Sequence, residues 1–258
     1  MATPIKTVLV TGAAKRLGRA IALDLAAHGW SVAVHYNSSR SQAEKTVDDI
    51  RAMGGRATGI RAAPVQADLG DETDTQGLIG RAQEALGPLT ALVNNASLFE
   101  HDDIETMTGE SWRRHMNTNL YAPLLLARAF AKQVPQDTEG AIVNLLDQRL
   151  LKPTPQFLSY SVSKAGLHWL TKTLAQALAP HIRVNAVAPG PTLRSARQSE
   201  AQFVRQTTAT ILGRGASPED VAAAVRYLLE ARAVTGQTLV VDGGQHLIWR
   251  TEDVSVEV

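Results

Sequence analysis

The chain has 258 residues, 44% of them hydrophobic, which is enough to bury a sizeable core and argues against disorder. Its 26 basic and 25 acidic side chains leave a net charge of +1, so no overall field draws it to nucleic acid or to an acidic membrane surface. There is no cysteine, which excludes disulfides, thiolate metal sites and cysteine nucleophiles. No stretch resembles a signal peptide or a membrane span, and the expectation is a cytoplasmic protein acting on a small molecule.

Short β-branched runs predict strands at Thr7–Thr11, Ser31–Tyr36, Pro64–Ala67, Leu89–Asn94, Ala141–Leu146, Ile182–Ala188 and Thr238–Val241. Between the first two, Leu17, Ile21 and Leu25 recur at helical spacing and Gly29 follows as a terminator, which makes a βαβ unit. Gly54-Gly55 reads as a turn after a helix. Near the other end, Ser217-Pro218-Glu219-Asp220 reads as an N-cap, a first-turn proline and an acidic first turn ahead of the face Val221, Val225, Leu228. No repeat or polar linker divides the chain. The alternation predicts an α/β fold, a single Rossmann-type doubly wound parallel sheet of about seven strands with helices on both faces, as one domain over residues 1–258.

Thr11-Gly12-Ala13-Ala14-Lys15-Arg16-Leu17-Gly18 joins the first strand to the first helix, where backbone N–H groups and the helix dipole favour a pyrophosphate. Two glycines alone are equally well explained by a tight turn. The next strand ends in His35-Tyr36-Asn37-Ser38-Ser39-Arg40, and no Asp or Glu occurs where an NAD site holds its ribose diol with a carboxylate. Arg16, His35 and Arg40, each singly an ordinary surface cation, converge there and point to the 2′-phosphate of NADPH.

Tyr160 and Lys164 share a helical face, with Leu167, Leu170, Leu174 and Leu178 continuing the helix. A bare pair at this spacing is more often a half-buried phenol and a snorkelling ammonium. As a catalytic pair, the ammonium lowers the phenol pKa and the phenol gives a proton to a carbonyl or imine being reduced.

Taken in order, these segments resemble the short-chain dehydrogenase/reductase family, over nearly the whole chain. The marks are the glycine-rich turn, Asn94-Asn95-Ala96, Tyr160-x-x-x-Lys164 and Val241-Asp242-Gly243-Gly244. The resemblance implies that Asp68 and Leu69 touch the adenine, that Asn95, Ala96 and Ser97 line the cofactor, and that Asn119 is the structural and catalytic Asn, holding a water for proton resupply. It implies that Pro189-Gly190 opens a substrate loop of about 190–215 over the nicotinamide, and that the protein is a homotetramer.

Two departures stand out. Arg16 replaces a glycine of the turn, and Asp147 replaces the catalytic serine. Both resemble the pteridine reductases and dihydromonapterin reductases within the family, as does Asn94-Asn95-Ala96-Ser97-Leu98-Phe99, where a Phe at the position of Phe99 stacks on the pterin. Phe99 is equally readable as a loop or core aromatic. The substrate residues implied are Phe99, Asp147 and Tyr160, with Asp147 as second acid or anchor for a ring nitrogen. The competing expectations are a carbonyl reductase acting on, for example, a 3-oxoacyl thioester, and a sensor that binds NADPH without turnover. The histidines show no metal-ligand spacing, so no metal is expected. Arg194 and Arg197 read as a solvated helix face rather than an acidic-tail subsite.

Overall fold

The computed structural model describes residues 6–54, 59–195 and 198–249; Gly55 and Arg197 lie outside the described residues. Seven parallel strands form one sheet in the order β3-β2-β1-β4-β5-β6-β7. They are β1 (Thr7–Val10), β2 (Ser31–Tyr36), β3 (Ala62–Gln66), β4 (Ala91–Asn94), β5 (Gly140–Leu145), β6 (Ile182–Pro189) and β7 (Thr238–Val241). The edge strand β3 begins two residues earlier than its sequence signal. Ala62 and Ala63 carry little β propensity, and Pro64 pairs with Val34 on an edge, where a missing N–H is tolerated.

Alternate residues of the central strands face opposite layers. Val8 and Val10 enter a core with α1 (Arg16–Ala27), α2 (Arg40–Gly54) and α8 (Pro218–Glu230), whereas Leu9 enters one with α3 (Glu72–Leu86), α5 (Ala122–Gln133) and α6 (Leu158–Leu178). Ile21 and Leu25 are fully buried, and Gly29 ends the turn after α1 with φ +88°. Ser217 and Asp220 form a capping box at the start of α8, so the predicted acidic first-turn residue also satisfies the N-cap backbone.

Among the described residues the remaining α-helices are α4 (Gly109–Met116) and α7 (Glu200–Thr208), and a turn of π-helix, Asn117–Tyr121, joins α4 to α5. Arg194 precedes α7 in irregular backbone, paired with Glu200, so the expected helix face is not formed there. The chain order reverses between β1 and β4, and at such a switch point the strand ends leave a crevice.

Candidate active site

The crevice is a cleft of about 1520 Å³ running from the β2 end to α7. At its first end, Gly12 has φ +64°, and a Cβ there would lie 3.1 Å from the Ala96 Cα. A Cβ on Gly18 would lie 2.2 Å from the Gly12 carbonyl oxygen, so the helix can start this close to the strand only with glycine. The Thr11 hydroxyl donates to the Val93 carbonyl and accepts the N–H groups of Asn95 and Ala96, both at 2.9 Å. Asn95 Nδ2 donates back to the Thr11 carbonyl at 2.8 Å. Lys15 gives α1 no side-chain cap, and the first turn holds no acid, so its N–H groups remain available to an anion.

His35 is placed differently from its expected role. It is 2% exposed, its Nδ1 accepts the Gly12 N–H at 2.9 Å, and its Nε2–H donates to the Ala67 carbonyl at 3.1 Å. Burial lowers its pKa to about 4, partly opposed by the Ala67 bond and by Asp74 and Asp68. His35 is therefore a neutral brace for the glycine turn, not a cation for a phosphate. Arg40 opens α2 outside the cleft lining, with its Nε on Glu44 at 2.9 Å. Arg16 points the other way, donating from one Nη to the carbonyls of Leu193 at 3.3 Å and Arg194 at 3.1 Å. Its φ of +55° retains the left-handed backbone that a glycine would hold without strain. The three expected cations do not converge. Tyr36, Asn37, Ser38 and Ser39 do line the cleft. Leu17, Asp68, Leu69, Ser97, Pro189 and Gly190 line it as expected.

At the other end, Tyr160 and Lys164 are 6% and 2% exposed on α6. Phe157 precedes that helix with φ +58° and offers no side-chain cap; Asp102 does so instead, its Oδ1 accepting the Ser159 N–H at 3.1 Å. The Tyr160 hydroxyl donates to Asp147 Oδ2 at 2.9 Å. Lys164 Nζ donates to the Leu145 carbonyl at 2.7 Å and sits 5.8 Å from the centre of the Tyr160 ring. Burial lowers the Lys164 pKa to about 8, against the pull of Asp147.

Lys164, expected to lower the Tyr160 pKa, is not among the groups that set it. Burial, followed by the charge and hydrogen bond of Asp147, raises it well above the usual phenol range, and Arg149 is the cation that opposes the rise. The Tyr160 phenol is thereby held in its neutral form. Asn119 lies in the π-turn and is saturated. Its Oδ1 accepts from Leu98 N–H and Ser97 Oγ, and its Nδ2 donates to the Leu98 carbonyl and Ser163 Oγ. Its amide thus fixes the Ser97–Leu98 wall.

Phe99 is 40% exposed and meets Tyr160 edge-on, with centroids 4.7 Å apart. Phe157 and Arg149 also reach this end of the cleft. Both lie within a few residues of Tyr160 or Asp147 in sequence, a proximity that was the available signal.

Comparison with known proteins accords with this geometry. A family model described as enoyl-(acyl carrier protein) reductase matches residues 12–246. The crystal structure of FolM alternative dihydrofolate reductase 1 from Brucella suis, in complex with NADP, is 46% identical with a TM-score of 0.91, covering 97% of this chain and 98% of that one. Its counterpart from Brucella canis, complexed with NADP, is 44% identical with a TM-score of 0.89, over 97% and 98% of the two chains. The 3-oxoacyl-[acyl-carrier-protein] reductase FabG of Staphylococcus aureus is 33% identical over 94% of this chain and 98% of its own. With the parallel sheet, the glycine turn and the buried Tyr160–Lys164 pair, the chain belongs to the short-chain dehydrogenase/reductase family.

Proposed function

We propose that the protein is an NADPH-dependent reductase of a pterin-like ring. The observation that carries this is the Tyr160 hydroxyl on the Asp147 carboxylate at 2.9 Å, beside the exposed Phe99 ring. A carboxylate at this point can accept from, or when protonated donate to, a ring nitrogen, and Phe99 offers a flat substrate a face to stack on. The similarity to the FolM reductases supports the same substrate class.

The cofactor end fits a dinucleotide. A Cβ at Gly12 would crowd the Ala96 backbone, and the uncapped α1 terminus suits a pyrophosphate. Gly12, Leu17 and Gly18 hold that group, with Arg16 beside them. Tyr36, Asn37, Ser38 and the neighbouring Ser39 take the adenosine phosphate, while Asp68 and Leu69 take the adenine. Asn95, Ala96, Ser97, Pro189 and Gly190 border the nicotinamide. When bound, the reduced nicotinamide supplies a hydride to the carbon of a C=N bond. Tyr160 gives its hydroxyl proton to the nitrogen, and Lys164 holds the wall beneath it through the Leu145 carbonyl. Asp147 fixes the phenol rotamer and anchors the ring.

A second reading is reduction of a 3-oxoacyl thioester, favoured by the FabG similarity along 94% of the chain. NADPH oxidation measured with dihydropterin, dihydrofolate, a 3-oxoacyl thioester and a quinone separates the two. Turnover of the pterins is expected, and turnover of the thioester alone transfers the assignment to the second reading.

We also propose a cytoplasmic homotetramer. Among the described residues no helix is long and apolar enough to cross a membrane. The exposed Val162 and Trp169 on α6 and Tyr227 and Leu239 near the β7 edge offer apolar faces for twofold contacts. Light scattering at micromolar concentration tests the mass.

A further inference from the structure

Phe157 stacks on Phe99 with centroids 4.4 Å apart and planes 6° from parallel. The Arg149 guanidinium carbon lies 5.5 Å from the Phe99 centroid and 5.1 Å from that of Phe157. The same arginine grips the acid. Its backbone N–H donates to Asp147 Oδ1 at 2.8 Å and its Nη1 to Asp147 Oδ2 at 3.2 Å, the oxygen that accepts the Tyr160 hydroxyl. One side chain therefore ties two rings to the carboxylate beside the proton donor.

This arrangement is held at a cost. Phe157 occupies the left-handed region, which disfavours a bulky side chain, and Arg149 Nε is buried with no acceptor among the described residues. Phe99 explains what the cost maintains. A ring 40% exposed samples several rotamers unless another group packs against it, and fixing it beforehand reduces the ordering needed when a ligand stacks. An arginine suits the junction because its planar fork bonds a carboxylate while its face lies on an aromatic ring; a lysine carries the charge without the plane.

We infer that Arg149 and Phe157 are specificity-determining positioning residues that hold the Phe99 ring and the Asp147 carboxylate as one preorganised unit for a flat, nitrogen-containing ring. The identity of that ring rests on the proposed pterin substrate; the rigidity of the unit does not. Phe157→Leu removes the stacked ring and keeps apolar bulk. It raises KM for dihydropterin by about 10-fold, with kcat and the KM for NADPH changed less than about 2-fold. Arg149→Met loosens both ring and carboxylate and lowers kcat as well. Arg149→Lys keeps the charge without the plane and does not restore the KM.

Fluorine NMR supplies a readout that needs no substrate. The chain has four phenylalanines, and para-fluorophenylalanine reports on each, with Phe130 in the core as the internal reference at 0% exposed. In the NADP-bound protein, Arg149→Met shifts or broadens the Phe99 and Phe157 signals together and leaves Phe130 in place. A Phe99 signal unchanged by both Arg149→Met and Phe157→Leu overturns the inference whatever the substrate. An intact coupling of the two signals in a wild-type protein that reduces no pterin upholds the rigid unit and removes the pterin as its ligand.

Discussion

Around the glycine turn the cleft wall is made of backbone groups whose hydrogen bonds are satisfied by buried neighbours: Thr11, His35 and Asn95 between them bind the turn to β4 and to Ala67. Beyond β5 the wall is made of side chains. Tyr160 and Arg149 both donate to Asp147, Phe99 and Phe157 stack, and Phe157 holds a left-handed backbone. On the proposed function the first region takes the dinucleotide, and a fixed backbone serves it. On the same proposal the second takes the substrate, and a few side-chain changes there are enough to retune it.

The largest effect that separates the regions is expected from Tyr160→Phe. It removes the proton donor, so turnover falls by about 10²-fold or more while the turn is untouched and NADPH titrates as in the wild type. Wild-type turnover in this variant places the acid elsewhere. Loss of NADPH binding instead means that the two regions are not independent.

The first region is tested through pH. The His35 pKa is about 4 when folded, against 6.5 for the free side chain, so below pH 6.5 the unfolded chain takes up a proton that the folded one refuses. The stability from a neutral, buried His35 is fully present above pH 6.5 and is lost progressively as the pH falls towards 4. This amounts to about 3 kcal/mol by linkage. Denaturant midpoints of the wild type and His35→Asn, measured from pH 7 to 4.5, should converge on acidification. Parallel curves show that His35 is not held neutral.

The fold was readable because its signals are local. Strand runs, the α1 face and the Ser217 cap each follow from residues within a few positions, and β2 and β7 begin and end where predicted. Phe99, Asp147, Tyr160 and Lys164 were readable because the family spaces them regularly, and they do meet in the cleft. Direction was not readable. His35, Arg40 and Arg16 are cationic or potentially so in the sequence, but burial neutralises the first, Glu44 engages the second, and the left-handed backbone of the third aims it at Leu193. Asp102 on Ser159 was equally hidden, since that contact spans the chain between β4 and α6.

A smaller effect tests the second region's discrimination. Asp147→Ser keeps a hydroxyl partner for Tyr160 but removes the carboxylate that a ring nitrogen would use. The ratio of kcat/KM for dihydropterin over that for a ketone should fall by about 10-fold, the value of one charged hydrogen bond, while ketone reduction is kept or improved. A ratio that does not move removes Asp147 from substrate recognition.

The smallest effect concerns a side chain that crosses between the regions. Arg16 stands in the glycine turn, yet its guanidinium bonds the Leu193 and Arg194 carbonyls of the segment expected to cover the substrate. Arg16→Gly relieves the left-handed strain and removes both bonds, so the turn itself should tighten rather than weaken. Hydrogen bonds to an exposed guanidinium are individually modest, so KM for the substrate should rise by only about 3-fold to 10-fold, with NADPH affinity within about 2-fold of wild type. The ratio of NADPH to NADH affinity decides the arginine's allegiance. If it holds, Arg16 serves the covering segment; if it drops towards unity, the arginine swings to the 2′-phosphate on cofactor binding, and the separation of the two regions fails at this residue.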